Sequence, residues 1–279
     1  MKVRLLLSVL LLLALAAASC STGPTAPRPG TPAFYWGAAQ QTFHSGDFVK
    51  TNENLLELNR SDNEFTAKAR PWMIVVSAGL TQGYIDMAET YEAGARANRA
   101  NPTPFRKEVT AMRSLASASA LELAEAVHPF LDNKDAAVPL AFGYPSGSAL
   151  EPGGLKRISS GILVQDSERD SLQAAMLQRG VLLVACRAVG SADDPAKAQE
   201  TFKAAEPKAA RDVFLFALAK LMYEQSDLFG PTKLDQPNRL RLMCQEAARA
   251  LDAIPPTKDT KALAAKIQAA LKKVKAQSL

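Results

Sequence analysis

The chain has 279 residues, of which 47% are hydrophobic and only 6% aromatic, and it carries a formal charge of +5 at neutral pH. That is enough for one large domain or a continuous array, and alanine and leucine dominate the apolar set, a bias suited to closely packed helices. No basic footprint for nucleic acid is present, and two histidines are too few for a histidine-rich metal site or an H-E-x-x-H zinc motif.

The chain opens with Met1, Lys2, Val3 and Arg4, followed by an apolar run over 5–18. A positive start before a short apolar run reads as a signal peptide over 1–19, because a spanning helix wants about 20 apolar residues. Ala17, Ala18, Ser19 and Cys20 resemble the lipobox of bacterial lipoproteins, with Ala17 where leucine is usual. The resemblance implies acylation of Cys20, palmitate included, and anchoring in the cell envelope. Ser21 in place of aspartate implies the outer membrane, facing the periplasm. The competing reading is ordinary cleavage near Ala18, which leaves Cys20 a free thiol. The Pro/Gly/Ser/Thr stretch that completes 20–31 reads as a solvated tether, able to reach about 35–40 Å when extended.

Residues 32–131 read as N-terminal helical pairs. Over 35–58 an apolar helical run, the turn Ser45-Gly46-Asp47-Phe48 and a second run follow one another. The next segment places Trp72 early in a helix, Gly83 at a turn, and Ala88 and Ala95 on a second helix. These units resemble tetratricopeptide repeats (TPR), whose period is about 34 residues. Small residues there let paired helices approach, and the aromatic plugs the gap between pairs. Residues 105–131 read as a further helix or pair without the signature.

Residues 167–279 read as C-terminal helical pairs and a capping helix. Ala198, Phe202 and Ala205 repeat the small-aromatic-small spacing behind a helix over 170–189, and Ala247, Leu251 and Ile254 repeat it in the pair 212–229 and 237–254. Ser167 with Asp170 resembles a capping box opening this half. At the end, Leu263, Ile267, Leu271 and Val274 form one apolar stripe amid lysines. That pattern suits a cap over the array or a basic amphipathic helix on lipid. The fold class expected is all-α, an array of antiparallel helix pairs (a TPR-like solenoid) with one long irregular insertion.

That insertion is 132–166, rich in proline and glycine yet holding Val138, Leu140, Phe142 and Tyr144. Its aromatics either patch the array or, with Phe142 and Tyr144, line a groove that takes a partner or ligand. Cys186 and Cys244 both fall in apolar helical runs, where they form either a disulfide, as an oxidising compartment favours, or two buried thiols.

Enzyme signatures are missing. There is no G-x-S-x-G elbow, no serine three residues before a lysine, and no Lys-Ser/Thr after the glycines of 143–154. His44 and His128 read as surface residues at helix ends. No catalytic residue, metal or cofactor is implied. The function expected is a membrane-anchored periplasmic interaction module, a scaffold or adaptor, that binds an envelope protein or peptide on a helical-repeat surface. The alternatives are a small-ligand-binding or transporter-accessory lipoprotein, and then an envelope hydrolase whose carboxylate pair needs no local motif.

Overall fold

The computed structural model describes residues 27–132, 135–145 and 153–277. Cys20, the signal segment and the tether up to residue 26 lie outside the described residues. The described chain is mostly helical, in the order α1 (Pro32–His44), α2 (Phe48–Leu58), α3 (Thr66–Ala97), α4 (Thr103–Leu131), β1 (Ala137–Pro139), α5 (Gly153–Ser159), α6 (Asp166–Ala188), α7 (Pro195–Phe202), β2 (Lys208–Ala210), α8 (Arg211–Ser226), a 3-10 turn (Asp227–Phe229), α9 (Pro237–Asp252) and α10 (Lys258–Gln277). No helix among the described residues is long and apolar enough to cross a membrane.

The first pair forms as its turn chemistry predicts. Thr31 caps α1 by accepting the Phe34 N–H, Gly46 turns the chain at φ +78°, and Asp47 caps α2 by accepting the Lys50 N–H. Each cap satisfies a donor that the helix itself leaves unpaired. At the other end α8 and α9 pack together across the 3-10 turn.

Between these pairs the repeat register fails. Gly83 does not turn the chain: α3 runs unbroken for 32 residues, and every residue from Pro71 to Thr81 is buried. A helix enclosed on all sides has no polar stripe to mark its period, so its glycines read as punctuation. They are contact points instead. A Cβ on Gly79 would stand 2.5 Å from the Val181 Cα, and one on Gly83 2.8 Å from the Met176 carbonyl oxygen. Residues 105–131 likewise belong to the single helix α4, which packs along α3 as a long hairpin.

Two smaller expectations are corrected. α7 ends at Phe202, so Ala205 lies beyond it, and α6 begins at Asp166 with Gln165 at its cap and no side-chain capping bond, so Ser167 caps nothing. The apolar stripe of α10 faces inward: Leu263, Ile267 and Val274 are buried, mainly where α10 packs on α9.

The insertion carries structure of its own. β1 pairs antiparallel with β2, Val138 opposite Ala209. α5 buries Ile158 completely, its carbonyl lying where a Cβ on Gly94 of α3 would fall. A buried polar chain ties three helices: Ser77 donates to Asn52 at 2.8 Å and Asn52 donates to Glu122 at 2.6 Å. Burial pushes the Glu122 carboxyl above its usual range, against the Asn52 hydrogen bond that lowers it.

Candidate functional site

A groove of about 440 Å³ opens at the C-terminal end of the fold, walled by α8, by the loop after α6, and by the link from α9 to α10. α8 makes its floor. Phe214, Leu215, Leu218, Leu221 and Met222 turn into the core, yet the outward face still carries Val213, Phe216 and Ala217. Those positions fall three and four residues apart and so share one side. Ile254 and Pro255 complete the apolar lining.

The loop wall is shaped by two left-handed residues, Gly190 at φ +75° and Ala192 at φ +53°. For glycine this costs little; for alanine it costs roughly 1–2 kcal/mol, and strain of this kind gathers where a surface is built for use. Ser191 holds the loop to α6 through its hydroxyl, which donates to the Cys186 carbonyl at 2.8 Å. Across the groove, Thr257 and Thr260 cap the start of α10 reciprocally: the Thr257 N–H donates to the Thr260 hydroxyl at 2.7 Å and the Thr260 N–H to the Thr257 hydroxyl at 3.2 Å.

The rim is charged. Arg187 donates to both Asp193 oxygens, at 2.8 and 3.4 Å, and reaches Glu224 at 3.3 Å. These bonds raise the Arg187 pKa and hold Asp193 below the ordinary carboxylate range. Lys220 stands 3.9 Å from Glu224. The two cations of the rim are thus served by acids, whereas Asp212 and Asp259 face the opening with no ion pair among the described residues. The arrangement suits an apolar side chain flanked by a basic group. Among the described residues, no three of His, Cys, Asp and Glu gather closely enough to hold a metal ion.

The residues singled out from sequence lie elsewhere. Phe142 lines no groove: it is 3% exposed, stacked on Trp72 at 5.3 Å and tilted against Trp36 and Phe43. The insertion patches the array because a benzyl group gains more from this aromatic pocket than from water. Tyr144 is half-buried beside it, with its ring 5.5 Å from Phe202 and its hydroxyl 3.5 Å from the Cys186 sulfur. Burial pushes its pKa up, and the Cys186 contact adds to this.

The candidate disulfide is not formed. Cys186 on α6 and Cys244 on α9 are separate buried thiols, the second 3.6 Å from the Ser226 hydroxyl and raised in pKa by burial. His44 sits exposed at the end of α1, bonded to the Gln40 carbonyl, and His128, also exposed, lies 2.9 Å from an Arg249 nitrogen.

The groove itself escaped sequence reading, and one signal could have found it: positions 213–219 of α8 are apolar on every side, although the helix lies at the surface end of the fold. No family model, curated protein or solved structure matches the chain.

Proposed function

We propose that this chain is a lipoprotein of the bacterial envelope, anchored through Cys20 in the outer membrane and facing the periplasm, and that it works as an interaction module. Its helix pairs at the two ends, α1 with α2 and α8 with α9, are read as TPR-like units flanking longer helices. The groove along α8 is the observation that carries this function, because it leaves an apolar helix face and two unpaired acids, Asp212 and Asp259, open together. The partner is a peptide or protein segment that seats an apolar side chain on Phe216 and brings a lysine or arginine to the acidic rim. A second reading, a small ligand in the same place, draws on the groove volume of about 440 Å³, which falls within the usual range for such sites.

Affinity purification of the membrane-anchored protein from its own host tests the leading reading. Wild type is expected to retain an envelope protein that Phe216→Glu loses while the variant keeps the far-ultraviolet circular dichroism of the wild type, Phe216 being partly buried against the core. A partner kept by the variant removes the groove from the function. For the anchor, Cys20→Ala is expected to abolish incorporation of a fatty-acid analogue and release the protein from membranes. Label persisting in that variant would refute the lipobox assignment.

A further inference from the structure

Four arginines converge where α3 ends and α4 begins, around a hollow of about 640 Å³ that shares no lining residue with the groove on α8. Arg96 comes from the last turn of α3 and Arg99 from just past its end; Arg106 and Arg113, seven residues apart, come from one side of α4. Glu92 is the acid of the lining, and it serves two of them, accepting from Arg113 at 3.0 Å and standing 3.7 Å from Arg96. No carboxylate among the described residues pairs with Arg99 or Arg106. Four guanidiniums against one carboxylate leave the hollow with three uncompensated positive charges.

Like charges gathered this closely repel one another, and an anion placed among them turns that cost into attraction. Guanidinium groups present paired donors in a planar fork that matches phosphate oxygens. Ala95, Pro102 and Val109 supply an apolar floor beneath the charged groups. We propose that this hollow binds a phosphate-bearing ligand, held by Arg99 and Arg106 together with Arg113.

Trp36, just inside the first helix, stacks on Phe65 at the start of α3, so the chain joins the fold at that end. The hollow lies at the other end of a 32-residue helix, a rise of about 48 Å. That separates the hollow from the end where the chain enters the fold, and the two sources of phosphate, a free compound and a lipid headgroup, are told apart by the test.

The test uses the full chain carrying Cys20→Ala, so that no acyl chain contributes to membrane binding. Calorimetric titration with inorganic pyrophosphate is paired with flotation on phosphatidylcholine vesicles doped with phosphatidylglycerol. Pyrophosphate is expected to bind, and Arg99→Gln with Arg106→Gln to weaken it by at least about tenfold. Both arginines are exposed, so melting should not change. Glu92→Gln, which frees Arg96 and Arg113, is expected to tighten binding instead. Arg60→Gln with Lys68→Gln removes the same charge elsewhere and should leave affinity as it was.

Pyrophosphate binding without flotation assigns the site to a free phosphate compound; flotation that the double variant loses assigns it to a lipid headgroup. The proposal is overturned if neither probe binds, if the Arg99 and Arg106 variant binds like wild type, or if the distant control weakens binding equally.

Discussion

Trp72→Ala is expected to lower the free energy of unfolding by roughly 3–5 kcal/mol, the range for deleting a large aromatic from a core. The side chain is 0% exposed and touches three separate parts of the chain. Phe43 of α1 meets its face edge-on at 4.7 Å, Phe142 of the insertion stacks on it at 5.3 Å, and Phe202 of α7 lies at 6.1 Å. A cavity there has walls from four segments, and they cannot all close on it without moving α1 or α7 off α3. The indole nitrogen has no hydrogen-bond partner, so the loss is one of packing. Trp72→Phe, which keeps a ring and removes the unpaired donor, should then cost clearly less. Urea unfolding followed by far-ultraviolet circular dichroism measures both, since fluorescence would lose one of only two tryptophans. A loss below about 1 kcal/mol for the alanine variant would show that this aromatic cluster does not hold the N-terminal pair in place.

Gly180→Ala is the second large effect, and its sign is the informative part. Alanine in a helix interior is favoured over glycine by about 1 kcal/mol. At Gly37 of α1, where an added Cβ meets nothing within 4 Å, that gain should appear as added stability. At Gly180 the added Cβ would overlap the Gly79 carbonyl oxygen and stand 2.9 Å from the Gly83 nitrogen. Those atoms are backbone of a buried helix and cannot swing aside. Overpacking of about 3 kcal/mol therefore outweighs the propensity gain and leaves a net loss of about 2 kcal/mol. Thermal melting of the two variants should shift in opposite directions. A Gly180→Ala protein as stable as Gly37→Ala would mean that α3 and α6 do not cross at their glycines.

Much of the helical class was legible from residues alone because it rests on local chemistry. Asp47 after Gly46 announces the first turn, and the residues needed to cap α2 are adjacent in sequence. The stripe of Leu263, Ile267 and Val274 in α10 keeps its period because one side of that helix stays in water. A repeat register that fails at Gly83 places Trp72 between helices, and Trp72 is buried all the same, within one long helix.

What local chemistry leaves open is which partner a residue meets. Glycine serves equally in a tight turn and at a close helix crossing, and only the arrival of Met176 and Leu177 against α3 decides that Gly83 is the second kind. Phe142 in a proline- and glycine-rich segment could face a ligand or the core, and the pocket formed by Trp36, Phe43 and Trp72 decides for the core. The same holds for charge: Arg96, Arg99, Arg106 and Arg113 look like scattered solvated residues until the hairpin of α3 and α4 folds two helix ends onto one hollow. Contacts between residues far apart in the chain depend on the relative position of whole helices, and that position is set by burying their combined apolar surface, a quantity no short window of sequence contains.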